Sequence, residues 1–168
     1  MTLEDLNRQD RPAFVESVGW VFEHSAWVAD RAWRERPFST VADLHRAMVE
    51  AVKAASPEDQ LALLRAHPDL GSRLSMSRAS TGEQAGAGLQ HLSEAQFTRL
   101  TGLNDEYRNR FGFPFLFAVK GATAEAVLDA LARRVGRSVE EEWTEALTQV
   151  ARIARFRLDD LFRNGPPS

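Results

Sequence analysis

Apolar residues recur at three- and four-residue spacing over most of this chain, a period that builds helices and little else. Phe97, Leu100, Leu103, Tyr107 and Phe111 form one series, opened by Ser93-Glu94-Ala95-Gln96 in capping-box form and closed by Gly112. Trp143, Leu147, Val150, Ala154, Leu158 and Leu161 form a longer stripe behind Ser138-Val139-Glu140-Glu141. Between them, Thr123 to Val135 is rich in Ala and Leu and is bounded by Gly136. In the first half, Asp10 with Pro12 opens a segment through Phe14, Val18, Val21 and Phe22. Trp27, Val28, Ala32 and Trp33 lie in a second, which stops before Pro37. Ser39 or Thr40 opens a third with Leu44, Met48 and Val52, and Ser56-Pro57-Glu58 a fourth that runs through Leu61, Leu63 and Leu64 to His67-Pro68. The one strand-like run, Phe113 to Val119, contains Pro114 and has no second run to pair with, so it reads as buried extended backbone. A length of 168 residues with 43% hydrophobic residues suits one core. The expected architecture is an all-α, single-domain helical bundle of about seven or eight helices, with 164–168 as a loose tail.

Composition narrows the chemistry. With no cysteine, the chain has no disulfide framework, thiolate zinc site, iron–sulfur cluster or Cys nucleophile. Lys and Arg number 21 against 24 acids, a net charge of -3, which argues against a nucleic-acid or membrane-surface partner. His24, His45, His67 and His91 make no His-Glu-x-x-His pair and no i, i+4 spacing, so no metal site is expected. Gly82, Gly86 and Gly88 fit neither phosphate-binding fingerprint, and the aromatic residues fall at core periodicities without interleaved Lys or Arg. The stretch Met1 to Asp10 is polar, no apolar run approaches the roughly 18 residues of a membrane span, and Pro166-Pro167-Ser168 is no peroxisomal signal. A cytoplasmic protein is expected.

Three segments are candidates for function. In His67-Pro68-Asp69-Leu70-Gly71 the proline disfavours helical geometry at His67, which therefore stands at a helix end where carbonyls favour an imidazolium. The alternative is a C-capping histidine with no further role. Ser80-Thr81-Gly82-Glu83-Gln84 has a capping-box pattern, in which Glu83 simply reaches back to Ser80. A helix start also gathers N–H groups that hold an anion, with Ser80 and Gln84 able to add hydrogen bonds. Arg157 projects about 40° from Trp143 and Leu161, inside the apolar stripe, and an inward arginine needs a carboxylate from the protein or from a ligand.

Taken together these segments resemble one family. His67-Pro68-Asp69-Leu70-Gly71, Ser80-x-x-Glu83-Gln84-x-x-Ala87-Gly88-Leu89 and Leu103-Asn104-x-x-Tyr107-x-x-x-Phe111-Gly112-Phe113-Pro114-Phe115 are similar to segments of the 2-oxo-4-hydroxy-4-carboxy-5-ureidoimidazoline (OHCU) decarboxylases of urate breakdown. Glu23-His24-Ser25-Ala26-Trp27, Val119-Lys120-Gly121 and Ile153-Ala154-x-x-Arg157-Leu158 extend the resemblance over nearly the whole chain, with Ala26 standing where the family pattern has proline. The resemblance implies an all-α homodimer without cofactor, acting on a small anionic substrate to give (S)-allantoin. It implies that His67 is the central catalytic residue. Pro68, Ser80, Glu83, Gln84 and the main chain of Phe115, Leu116, Phe117, Ala118 and Val119 would line the pocket, with Arg157 beside them. Glu83 is taken as the hydrogen-bonded partner of His67 in catalysis. The competing readings are a non-catalytic helical binding module on the same scaffold and a hydrolase of a related cyclic ureide.

Overall fold

The computed structural model of the chain describes residues 1–69, 92–118 and 122–164. Eight α-helices and two 3-10 turns lie among the described residues, and no strand does. The helices are α1 (Leu3–Arg8), α2 (Arg11–Val18), α3 (Trp27–Ala32), α4 (Val41–Lys53), α5 (Pro57–Ala66), α6 (Glu94–Phe111), α7 (Ala124–Arg134) and α8 (Val139–Asn164). None of them is long and apolar enough to cross a membrane. Two compact units form: Met1–Ala66 with Ala151–Ser168, and His67–Val150.

In the first unit, capping chemistry sets the helix starts. Asp10 accepts a bond from the Ala13 N–H, Thr40 from Asp43 and Ser56 from Asp59. Helix α1 is a feature the apolar period does not reveal, because only Leu6 is buried in it. It is a reciprocal capping box, with Thr2 Oγ1 accepting from the Asp5 N–H and Asp5 Oδ2 from the Thr2 N–H, both at 3.0 Å. The segment expected to run from Asp10 to Phe22 stays α-helical only to Val18 and tightens into a 3-10 turn over Gly19–Val21. The Trp20 indole N–H takes the Ser17 carbonyl at 2.9 Å, an acceptor a continuing helix would offer to Val21. Arg11 and Asp30 form a two-bonded pair, 2.5 Å for each bond, that ties α2 to α3. Leu6, Phe14, Val18, Val28, Leu44, Met48, Leu63, Leu64, Leu158 and Leu161 are buried around these contacts. His45 of α4 donates from Nε2 to the Ala151 carbonyl at 2.7 Å.

In the second unit, α6 packs against α7. The Ser93 capping box is present in both directions, and Gly112 takes the left-handed conformation (φ 81°) that ends α6. Helix α7 is capped by Thr123 and ends at Arg134, with Val135 still right-handed at φ -62°. Its termination therefore makes no use of a left-handed glycine at Gly136. The run from Pro114 to Ala118 is neither helix nor strand, and Phe113, Phe115 and Leu116 are buried. The inward line of α8 differs from the stripe expected in its first half. Glu142, Ala146, Gln149 and Val150 are buried, whereas Trp143 and Leu147 are only half-buried. Two polar residues occupy the inner face there because partners wait for both of them. Farther along, Ala154, Leu158 and Leu161 are buried as expected, and α8 continues through Asn164, assigned above to the tail.

Two outcomes follow from this geometry. Ala26 precedes α3 at φ -56°, within the range of proline, and its N–H has no acceptor among the described residues. Ala26→Pro should therefore raise stability by about 0.4–1 kcal/mol, read from the urea midpoint. Burial, then the positive charge of Arg155, hold the His45 pKa below its ordinary value despite the bond to Ala151. A depressed folded-state pKa means that the unfolded chain binds the proton more readily. The contribution of His45 is thus present above the ordinary histidine value and is lost as pH falls through it toward the folded value. Stability measured from pH 7.5 down to 5.5 should fall less steeply in His45→Gln than in the parent.

Candidate active site

His67 is the first residue after α5, and it is 5% exposed. The helix stops at Ala66, where Pro68 demands that it stop. Pro68 itself is exposed. The next residue anchors the turn: Asp69 Oδ2 pairs with Arg108 Nη1 at 2.5 Å, and Asn104 Nδ2 donates to Asp69 Oδ1 at 3.4 Å. Both partners belong to α6. Asn104 is buried, and its Oδ1 has no hydrogen-bond partner among the described residues.

The same helix carries the second candidate segment. Tyr107 and Phe111 meet at 4.5 Å between ring centroids, and Tyr107 lies edge-on to Phe113 at 6.0 Å and to Phe115 at 5.4 Å. Asn104, Tyr107, Arg108 and Phe111 fall within about 100° of helix circumference. One face of α6 therefore fixes both the His67-Pro68-Asp69 turn and the start of the non-helical run.

The far end of that run is held from α7 and α8. Leu116 O accepts from Arg134 Nη1 at 2.7 Å, and the Ala118 N–H donates to Gln149 Oε1 at 2.9 Å. Arg134 is 1% exposed, and its Nε donates to Glu142 Oε1 at 2.8 Å. Tyr107 donates its hydroxyl to the same oxygen at 2.5 Å, while Arg137 Nη1 lies 3.2 Å from Glu142 Oε2. Burial first, and then the bond to Glu142, push the Tyr107 hydroxyl well above its ordinary pKa, so it stays protonated and donating. The Arg134 guanidinium also lies 4.6 Å from the Phe115 ring centroid.

Ser80, Glu83, Gln84 and Val119 lie outside the described residues. Arg157 belongs to the other unit, and there it has found a protein carboxylate. Its Nη2 donates to Glu23 Oε1 at 2.5 Å, and its Nη1 to the Val21 carbonyl at 3.2 Å and the Trp20 carbonyl at 3.4 Å. Among the described residues no group of three His, Asp or Glu side chains is placed to hold a metal ion.

Arg134, Glu142, Gln149, Asn104 and Asp69 were not singled out as site residues in the sequence. A signal existed for Arg134, which follows Val127 and Leu131 at helical spacing and so sits on an apolar face. Glu142 and Gln149 are likewise seven residues apart, two turns along one side of α8.

The model of the OHCU decarboxylase family matches residues 7–159. The chain belongs to that family. Among its relatives, the OHCU decarboxylase of Haloferax volcanii is 49% identical over 162 residues, covering 96% of each chain. A uric acid degradation bifunctional protein of Bacillus subtilis is 45% identical over 160 residues, which are 95% of this chain but 32% of that one. Of solved structures, an (S)-allantoin synthase superposes with a TM-score of 0.81 at 35% identity, covering 95% of this chain and 54% of that one. An OHCU decarboxylase crystallised in the presence of (S)-allantoin gives 0.66 at 22% identity over 93% of this chain and 100% of that one, which bears on the fold alone. The all-helical family fold expected from the sequence is thus the one observed.

Arg134 and Arg108 should respond very differently to truncation. Arg134→Met leaves Glu142 charged in the interior and should cost about 3–5 kcal/mol of unfolding free energy. Arg108→Ala breaks a pair whose arginine is 54% exposed, and the loss should stay below about 1 kcal/mol. Urea titration of both variants checks the contrast.

Proposed function

We propose that this decarboxylase converts OHCU to (S)-allantoin without a cofactor, with His67 and Glu83 as its catalytic pair. The observation that carries the reading is the family match over residues 7–159, supported by relatives that align over almost their whole length. His67, buried at the end of α5 and braced through Asp69, is well suited to a fixed catalytic group.

The chemistry asks little of the protein. C4 of the substrate carries a carboxylate and a hydroxyl, and C5 is part of a C=N bond. When the carboxylate leaves as CO2, the electron pair of the broken bond forms C4=C5, and the C=N pair moves onto nitrogen, which takes a proton. The resulting enol then gains a proton at C5 and loses its hydroxyl proton, giving the C4 carbonyl of allantoin. The substrate is its own electron sink. The protein must bind the anion, orient the hydroxyl and deliver the C5 proton to one face.

In this scheme His67 orients the hydroxyl–carboxylate centre and donates the proton, and Glu83 sets its protonation state. Ser80, Gln84, Pro68 and the main chain of the run from Phe115 to Val119 read the ring and ureido amides. Apolar walls such as Phe115 and Leu116 help, because a carboxylate that loses hydration loses CO2 more readily. We also take the chain to act as a homodimer, as the family resemblance implies, and as one cytoplasmic domain, as length and composition suggest.

The test uses OHCU made fresh from urate, with product formation followed by circular dichroism. The parent protein should yield (S)-allantoin quickly. His67→Asn and Glu83→Ala should each slow turnover by about 100-fold or more, with helix content unchanged. Full turnover by a folded His67→Asn protein would remove His67 from the mechanism. A parent that gives only the slow racemic background would refute decarboxylation altogether, and ring opening without CO2 release would point to a hydrolase.

A further inference from the structure

Among the described residues, the main-chain hydrogen bonds of the run after Pro114 come from one side. Leu116 O is taken by Arg134, and the Ala118 N–H by Gln149. In extended backbone, residues i and i+2 present their peptide groups to the same side and residue i+1 presents its own to the other. The rings of Phe115 and Phe117 agree with that geometry: they stack at 6.1 Å with 10° between their planes, as side chains two residues apart do on one face of an extended chain. Phe117 itself makes no main-chain hydrogen bond with the described residues, although it is only half-exposed.

We propose that Arg134 and Gln149 are positioning residues that clamp Leu116 and Ala118 so that the Phe117 N–H and C=O form the donor–acceptor pair reading the amide edge of the substrate. This rests on the decarboxylase reading, and it narrows the main-chain part of the site to a single residue.

A peptide donor and acceptor on one residue match the alternating N–H and C=O groups of a cyclic ureide, and they need no charge to do so. The match has value only if the main chain is rigid, because an unfixed loop would lose its orientation to solvent. The clamp supplies that rigidity from the interior. Gln149 is buried, and Arg134 is fixed in turn by Glu142, which also receives Tyr107. The chain thus runs from a buried carboxylate through a guanidinium to one carbonyl, and the next residue's peptide groups face the other way. Neither Arg134 nor Gln149 is assigned contact with the substrate.

Amide hydrogen exchange on the unaltered protein, followed by NMR, tests the geometry directly. The Ala118 N–H should be protected in the free protein, and the Phe117 N–H should exchange quickly until (S)-allantoin is added, then slow by at least about 10-fold. A Phe117 amide unaffected by saturating (S)-allantoin would overturn the proposal. A pair of variants tests the clamp. Gln149→Met removes the acceptor for Ala118 and should weaken (S)-allantoin binding by about 10-fold, the size expected for one lost neutral hydrogen bond. Gln149→Glu retains an acceptor oxygen and should restore most of that affinity. If Gln149→Met melts at a lower temperature yet binds (S)-allantoin as the parent does, Gln149 is structural only and the proposal fails. The parent's turnover is measured in the same preparation. A parent that neither turns over OHCU nor binds (S)-allantoin refutes the decarboxylase reading itself, whereas an active parent with an unmoved Phe117 amide refutes only the clamp.

Discussion

Glu142 is a charged carboxylate with no exposed surface, and much of the surrounding unit is arranged around its needs. Taking such a group out of water costs several kcal/mol even after relaxation. It persists because two hydrogen-bond donors and one further guanidinium, from separate places, converge on it. Tyr107 comes from α6, Arg134 from the last turn of α7, and Arg137 from the turn that leads into α8. A helix that slid by one residue would leave the charge unpaired, so the carboxylate fixes the register of the helices around it. Well-packed apolar residues in the same places would give comparable stability. What they would not give is a guanidinium with an arm left over, and that arm holds the Leu116 carbonyl.

The value of that arm follows from how helical proteins treat their own backbone. Within a helix nearly every N–H and C=O is consumed by the helix itself. A bundle can therefore offer main-chain donors and acceptors to a ligand only from helix ends or from segments that are not helical. Here the run from Pro114 to Ala118 is such a segment, and its inner side is occupied by Arg134 and Gln149. A helix end places His67, and α6 braces the residue two positions beyond it. Both candidate elements thus lie where the helical pattern is interrupted: Pro68 enforces the first interruption, and the second opens at the left-handed Gly112, with Pro114 two residues on.

Much of this was legible in the sequence, and the limits have physical causes. Capping signals at Asp10, at Ser39 or Thr40 (the structure uses Thr40) and at Ser93 mark helix starts because a short side chain satisfying a free N–H is a local event. The end of α5 at Ala66 is legible for the same reason. Helix α1 is not, since a six-residue helix with one buried residue has no period to read. The inner face of the first half of α8 departs from the apolar stripe, because a polar residue is buried wherever a partner meets it. Glu142 and Gln149 are buried through partners 35 and 31 residues away in the chain, at Tyr107 and Ala118, and no local pattern carries that information. Glu83, Ser80, Gln84 and Val119 lie outside the described residues, so their roles rest on the resemblance and the chemistry alone.

The two inward arginines make the same point about charge. An arginine on an apolar face must meet a carboxylate, and both have met a glutamate of the chain: Arg134 pairs with Glu142 and Arg157 with Glu23. Each guanidinium also donates to main-chain carbonyls, Arg134 to Leu116 and Arg157 to Trp20 and Val21. Their charge is therefore already balanced within their own surroundings, and an anion that approached Arg157 would compete with a carboxylate at 2.5 Å. In a chain whose net charge is -3, this shifts the burden of holding an anionic ureide toward neutral or conditionally charged groups. A histidine at a helix end and a rigid peptide group suit that task, because neither needs to surrender an ion pair to bind the substrate.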